Sequence, residues 1–325
     1  MSRVGIPGQF AMVFGAFALA YMGTSIGVLA LYAMFREVRK RLAPSLDPGR
    51  RRALNAMGSA LMATPFGAVG YGVVHRTDFH VRELDVPIRG LAQDLDGLRI
   101  LQISDIHLSP FLSESELARA IDASMGLRPH LTVVTGDLIS QRGDPLDACI
   151  RQLARLKADA GVFGCMGNHE RYARAEAYTE RAAARIGIRF LRGASSRLRF
   201  GDATLNLVGV DHQSTAGGKQ YLAGADRLVA PGAFNLLLSH NPDVFPVAAR
   251  QGYNFVLSGH THGGQVTVEI LDQSISPARF FTPYVYGLYR AGDTAAYVTR
   301  GIGTIGIPAR IGAPPEISLL RLRKA

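Results

Sequence analysis

The chain has 325 residues, 47% of them hydrophobic, and carries 36 Lys and Arg against 26 Asp and Glu, a formal net charge of +10 at pH 7. Its two cysteines, Cys149 and Cys165, exclude a disulfide framework and match no zinc spacing. The charge is not spread evenly: residues 1–52 hold eight basic and two acidic side chains, and no helix-turn-helix, aromatic RNA-binding or zinc-finger pattern accompanies the high pI, so no nucleic-acid partner is expected.

In chain order, residues 10–35 contain no charge, which predicts a first membrane helix, since about 20 apolar residues span a bilayer. Residues 53–74 are also uncharged, and with Asn55, Pro65 and several glycines they predict a second span; the alternative is a buried hairpin or interfacial segment. Between them lie Arg36, Arg39, Lys40, Arg41, Arg50, Arg51 and Arg52 against Glu37 and Asp47. Positive residues in short loops stay on the cytoplasmic side, so this pattern predicts a hairpin with its turn inside and the rest of the chain outside. Arg50-Arg51-Arg52 before an apolar stretch is also similar to a twin-arginine export signal, but no Ala-x-Ala cleavage site follows, which favours a retained anchor. The expected organisation is a membrane anchor over residues 1–75, a linker and entry strand over 76–97, and a catalytic domain over 98–325.

Within residues 98–325 a single grammar repeats. Short apolar runs, each reading as a buried strand, end in polar residues: 99–104 (RILQIS) before Asp105-Ile106-His107, 131–135 (LTVVT) before Gly136-Asp137, 161–166 (GVFGCM) before Gly167-Asn168-His169-Glu170, 234–239 (FNLLLS) before His240, and 254–258 (NFVLS) before Gly259-His260-Thr261-His262. Sites outside the carboxyl ends of strands are the expected location in an open α/β sheet. Five of the nine histidines lie in these strand-end turns. Carboxylate, amide carbonyl and neutral imidazole together suit Mn, Fe or Zn better than the hard ions Ca and Mg, which prefer oxygen throughout. Residues 204–210 (TLNLVGV) read as a further strand leading to Asp211-His212, either a supporting pair beside the site or a surface turn. Elsewhere, Ser113 with Glu116 is a capping-box signature ahead of Leu117 and Ile121, and Asp144-Pro145 predicts a second helix with Leu146, Cys149, Ile150, Leu153 and Leu156 on one face.

The motifs Asp-x-His, Gly-Asp, Gly-Asn-His-Glu, a lone His, and Gly-His-x-His resemble, in that order, those of the calcineurin-like metallophosphoesterase superfamily over roughly residues 98–322. Gly263-Gly264-Gln265, the stretch 299–304 (TRGIGT) and the stretch 312–317 (GAPPEI) are similar to a bacterial branch of membrane-anchored or exported phosphoesterases, itself similar to UDP-2,3-diacylglucosamine pyrophosphatases. The resemblance implies an α/β two-sheet sandwich flanked by helices, here preceded by the transmembrane helical hairpin. It implies two divalent or trivalent metal ions: Asp105, His107, Asp137 and His262 around one, Asp137, Asn168, His240 and His260 around the other, with Asp137 bridging. It leaves His169 to act on the phosphoryl group as the catalytic side chain, and Glu170 to orient a ligand. The implied activity is hydrolysis of a phosphodiester or phosphomonoester by a metal-activated hydroxide; the alternatives are a glycolipid pyrophosphatase and a metal-bearing binding module without turnover. The expected partners are a phosphate-ester substrate, lipid-linked or not, and the cytoplasmic membrane of a bacterium with the catalytic domain on its outer side.

The segment after the last of these histidines carries Phe280, Phe281, Tyr284, Tyr286 and Tyr289 with Arg279 and Arg290. Such a cluster either lines a lipid- or sugar-binding lip or packs a sheet edge.

Overall fold

The computed structural model describes residues 25–30, 32–38, 40–41, 47–215, 220–270 and 273–325. Its contacts divide the chain into two units, Met1–Val73 and Val74–Ala325.

In the first unit the main element is helix α1 (Pro48–Val74). Asp47 starts it: its carboxylate accepts the backbone N–H of Gly49 and Arg50 at 2.6 and 3.1 Å, and proline follows at the first helical position, where a missing N–H costs nothing. Pro65 interrupts the hydrogen-bond ladder, and the segments Pro48–Thr64 and Phe66–Thr77 meet at 43°. Among the described residues no single helix is long and apolar enough to cross a membrane, although this bent pair passes by length and composition together. The proline is the physical reason that the second expected span is not one straight helix. Met57, Phe66, Val69 and Tyr71 along it are exposed. Of the first expected span, residues 10–24 lie outside the described residues, while 25–30 and 32–38 are helical.

The second unit contains β1 (His80–Ile88), β2 (Arg99–Ile103), helix α2 (Glu114–Met125), β3 (Leu131–Val134), α3 (Leu146–Leu153), β4 (Val162–Gly164), α4 (Asn168–Ala173), α5 (Glu176–Arg185), β5 (Ile188–Phe190), β6 (Ala194–Phe200), β7 (Ala203–Gly209), β8 (Phe234–Leu238), α6 (Phe245–Gln251), β9 (Phe255–Ser258), β10 (Val268–Ile270), β11 (Gln273–Ile275), β12 (Gly287–Ala291), β13 (Thr294–Val298) and β14 (Glu316–Lys324). Two six-stranded sheets result, ordered β1-β14-β2-β3-β4-β5 and β12-β13-β9-β8-β7-β6, beside the small β10-β11 ribbon. β2 to β5 run parallel, as do β7, β8, β9 and β13, so the ligand-bearing ends of the central strands point the same way within each sheet.

Strand periodicity explains the layers. Side chains alternate across a strand, and strands buried on both faces read as continuous apolar runs. In β2, Ile100 enters the core between the sheets whereas Leu101 and Ile103 enter the core beneath the helices. In β8, Leu236 and Leu238 face the inter-sheet core while Leu237 meets Phe245 and Ala248 of α6 on the outside. Leu117 and Ile121 of α2, with Cys149 and Leu153 of α3, cover the outer face of the first sheet. The order is therefore helix, sheet, sheet, helix, a mixed α/β two-sheet sandwich. Gln102, fully buried, ties the two sheets: its Nε2 donates to Thr135 Oγ1 of one and to the Ser258 carbonyl of the other, both at 3.0 Å.

The α2 capping box forms as expected, with Ser113 Oγ accepting the Glu116 N–H at 3.2 Å and Glu116 accepting the Ser113 N–H at 2.8 Å. The start of α3 differs. Asp144 does not cap the helix; its carboxylate accepts from Ser140 and Gln141 N–H in the turn before it, and the helix begins at Leu146 and ends at Leu153, ahead of the buried Leu156. With Asp144 Oδ2 turned back to these two N–H groups, the helix starts with Pro145 at its N-cap and no side-chain cap.

Candidate metal centre

The turns after β2, β3, β4, β8 and β9 converge. Asp105, His107, Asp137, Asn168, His240 and His262 are all buried, and His260 and His169 stand at the edge, partly exposed. The distances make a single cluster. Asp137 Oδ2 lies 2.9 Å from His240 Nε2, 3.5 Å from His107 Nε2 and 4.0 Å from His169 Nε2; Asp105 Oδ1 lies 3.4 Å from His262 Nε2 and 3.9 Å from His240 Nε2. Asp105, His107 and His262 form one trio whose ligand atoms lie within 4.8 Å of one another; Asp137, His240 and His260 form a second, and His107, Asp137 and His169 a third. The structure thus brings together Asp105, His107, Asp137, His169, His240, His260 and His262, with Asn168 buried at the start of α4.

Backbone strain is concentrated here. Asp105, His107, Asp137, His260 and His262 all have positive φ, at 51°, 48°, 56°, 76° and 53°. A non-glycine residue held in that region costs about 1–3 kcal/mol and persists only where its surroundings over-determine it. The surroundings do so through hydrogen bonds: Asp105 N donates to Gly136 O at 3.1 Å, His107 N to Asp137 O at 3.0 Å, and His260 N to Asp105 Oδ1 at 2.9 Å. Space is a second device. A Cβ on Gly167 would lie 2.0 Å from Asp137 Oδ1, and one on Gly259 would lie 2.2 Å from Asp105 Oδ2. Both carboxylates rest against backbone that only glycine leaves open.

Glu170 is fully buried and ties the site to α4. Its Oε2 accepts from Asp137 N at 2.9 Å and Gly167 N at 2.8 Å, and its Oε1 from Leu138 N at 2.6 Å. It thereby fixes the peptide that carries Asp137. Burial, then the Asp137 charge, raises its pKa, and these three N–H groups oppose the rise.

The imidazoles divide by environment. Burial holds His107 and His262 well below the ordinary histidine range and brings His260 down to about 3, each helped by a neighbouring histidine. Neutral imidazoles have free lone pairs, the form that binds a metal. His240 goes the other way: burial lowers its pKa, but the Asp137 charge and hydrogen bond, then Asp105, prevail and lift it to about 10. Asp137 is likewise raised by burial yet held well below the carboxylate range by His240 and His169. A proton on His240 therefore balances the acidic pair, as a cation would. His107 Nε2 and His262 Nε2 face each other across 3.2 Å, and Asn168 Oδ1 is buried with no hydrogen-bond partner. Two imidazole nitrogens turned on one another and an orphaned carbonyl are both satisfied by bound cations, so the donor set fits two metal ions.

Sequence reasoning left two contributors out. Arg310 is buried, and its guanidinium donates to the carbonyls of His262 (3.3 Å), Ala313 (3.0 Å), Arg300 (2.9 Å), Gly301 (3.1 Å) and Gly303. An isolated arginine in a loop carries no motif that would have shown it. Ser140 is the other: its Oγ lies 3.2 Å from His107 Nδ1, and its carbonyl accepts from His169 Nδ1. The Asp211-His212 pair divides. Asp211 takes a two-pronged ion pair from Arg192 at 2.8 and 2.9 Å, whereas the His212 ring stands 5.5 Å from that of His260 and 6.1 Å from that of His240.

A family model described as calcineurin-like phosphoesterase matches residues 98–264. The uncharacterized metallophosphoesterase YkuE of Bacillus subtilis is 30% identical over 285 residues, covering 84% of this chain and 97% of that protein. A Danio rerio protein described as a transmembrane protein with metallophosphoesterase domain is 31% identical over 281 residues, covering 82% of this chain and 62% of that longer protein. Phosphodiesterase YaeI of Escherichia coli is 28% identical over 278 residues, covering 84% of this chain and 98% of its own. The chain belongs to the calcineurin-like phosphoesterase family, which uses a dinuclear metal centre, and it is a hydrolase acting on phosphate esters.

Proposed function

We propose that this calcineurin-like phosphoesterase is a membrane-anchored phosphodiesterase whose two metal ions are held by Asp105, His107, Asp137 and His262 and by Asp137, Asn168, His240 and His260. The observation that carries the assignment is Asp137 Oδ2, which lies within 3.5 Å of histidines on both sides, His240 and His107. Mn, Fe or Zn suits this mixed oxygen and nitrogen shell. When bound, such a pair of ions activates water and neutralises charge on the phosphoryl oxygens.

The side chains supply the rest. Asp105 and Asp137 set the negative charge that retains the cations, and Glu170 keeps the Asp137 peptide in its strained conformation. His169 stays outside the metal shell. Its Nδ1–H is taken by the Ser140 carbonyl, which leaves Nε2 directed at the cluster, and its side chain is 14% exposed where those of His107 and His240 are fully sealed. As the imidazolium, with one proton held on Nδ1 by Ser140 and a second on Nε2, it would give the Nε2 proton to the departing ester oxygen or hydrogen-bond a phosphoryl oxygen through it. The phosphodiester preference is supported by the named activity of the Escherichia coli relative.

Anchoring rests on the basic residues Arg50, Arg51 and Arg52 leading into an apolar helix with exposed side chains, and on the transmembrane description of the Danio rerio relative. The charge pattern supports a catalytic domain on the outer side of a bacterial cytoplasmic membrane. A UDP-diacylglucosamine-type pyrophosphatase is the reading for the opposite orientation, since nucleotide-linked sugars are made in the cytoplasm. The test is metal removal: chelation should abolish hydrolysis of bis(p-nitrophenyl) phosphate by the full chain, and adding back Mn, Fe or Zn should restore it. Hydrolysis unaffected by complete removal of metal would overturn the proposal.

A further inference from the structure

The turn that follows the last metal histidine presents two phenylalanines to solvent. Phe280 is 87% and Phe281 86% exposed, the highest values for any large hydrophobic side chain among the described residues. They do not dangle. A 3-10 turn (Pro277–Phe280) begins on a proline, and the N–H groups of Phe281 and Thr282 both return to the Ala278 carbonyl at 3.0 Å. At one end, Gly264 is so close to Ser276 that an added Cβ would lie 2.5 Å from the serine side chain. At the other, Thr282 Oγ1 donates to Asp243 Oδ1, and the Val285 carbonyl accepts from Thr261 Oγ1, between His260 and His262, each at 2.5 Å. The tip is therefore fixed to the loop that carries two proposed metal ligands.

The neighbouring aromatics are placed differently. Tyr284 packs edge-on against Phe245 and Tyr289, and Tyr286 lies beneath the Arg300 guanidinium at 3.9 Å and the Arg82 guanidinium at 5.1 Å. Packing of the sheet edge thus accounts for the tyrosines and leaves Phe280 and Phe281 unexplained. Burying a phenylalanine is favourable, so two held outward by a proline-started turn are apolar surface kept for something else. Arg279 beside them is exposed, and among the described residues neither it, Arg82 nor Arg300 has an ion pair.

We propose that Phe280 and Phe281 enter the boundary region of an anionic lipid bilayer with Arg279 at the headgroup level, so that the metal centre works at the membrane surface. This rests on the reading of the protein as a membrane-anchored phosphoesterase. Two exposed aromatic rings next to the exposed Arg279 match a surface that is apolar below and anionic above. A second copy of the chain fits less well, because a two-fold contact centred on the tip would set Arg279 against Arg279. A turn already rigid loses little conformational freedom on insertion.

The test uses the full chain, whose two native cysteines are buried and leave a single introduced thiol to be labelled. Phe281→Cys carries an environment-sensitive fluorophore, and Ser195→Cys, at an exposed position on β6, serves as the control. Both are reconstituted into vesicles of phosphatidylcholine with about a third phosphatidylglycerol, a content chosen to give an anionic surface. The expected result is that doxyl-labelled lipid quenches the probe at 281 and spares the one at 195. A probe at 281 open to aqueous iodide overturns the proposal, as does one shielded from iodide yet untouched by doxyl lipid, which places a second copy on the tip. Equal lipid quenching at both positions also overturns it, as general adsorption. Flotation of the same vesicles and hydrolysis of bis(p-nitrophenyl) phosphate test the anchor and the esterase separately, so a failure of either is distinguishable from a failure of the tip.

Discussion

At the scale of single residues, three histidines compete for Asp137, and distance alone does not assign them. His240, His107 and His169 place Nε2 at 2.9, 3.5 and 4.0 Å from its Oδ2. Among these three, exposure separates them: the side chains of His107 and His240 are sealed, whereas that of His169 is 14% exposed and reachable by substrate. His169→Ala should therefore retain both ions while kcat falls by about 10²–10⁴-fold, the range for loss of a general acid. Metal analysis beside steady-state kinetics checks it, and loss of an ion from the variant would make His169 a ligand instead. The penalty should shrink for a leaving group of low pKa, which departs without a proton; an equal loss for good and poor leaving groups would assign His169 to electrostatic stabilisation. Such residues were legible in the sequence because metal ligation restricts side-chain type and the turns restrict position. Arg310 was not: its five carbonyl contacts come from residues whose proximity only the folded chain creates.

At the scale of elements, the site is made by strand ends and by the glycines that follow them. The apolar runs before Asp105, Asp137, Asn168, His240 and His260 form β2, β3, β4, β8 and β9, since a strand buried on both faces has no polar alternation to obscure it. The capping box of α2 was legible for a similar reason, as a local exchange between residues three apart. Partners distant in sequence left no trace: β14 pairs parallel with β1, His80 opposite Glu316, and antiparallel with β2, and no periodicity announces a C-terminal strand in the middle of the first sheet. The exposed Phe280 and the packed Tyr284 also read alike in sequence, because both belong to one aromatic cluster. Close approach gives the element-level prediction. Gly259→Ala places a methyl against Ser104 Oγ and Asp105 Oδ2, which lie 2.1 and 2.2 Å from the ideal Cβ. Asp105 has to move by a substantial fraction of an ångström, and misplacement of that size lowers catalysis by up to about 100-fold. The expected outcome is weaker metal retention and lower kcat, with far-ultraviolet circular dichroism unchanged; wild-type metal content and rate would show that the cradle has slack.

At the scale of the whole molecule, six of the ten net positive charges fall in residues 1–52, against helix α1 with its apolar side chains exposed. If that charge fixes the orientation, alkaline phosphatase fused after Ala325 is active, whereas green fluorescent protein exported unfolded stays dark. Neutralising Arg36, Arg39, Lys40, Arg41, Arg50, Arg51 and Arg52 together should scramble the orientation. A cytoplasmic C-terminus in the unaltered chain would instead move the glycolipid pyrophosphatase reading to first place. The central claim, a two-metal centre bridged by one carboxylate, is independent of orientation and is tested most directly by metal stoichiometry in Asp137→Asn. The purified full chain should hold about two ions, as a two-metal hydrolase requires. The variant should hold fewer and lose most hydrolysis of bis(p-nitrophenyl) phosphate; two ions retained with a near-normal rate would contradict the bridge.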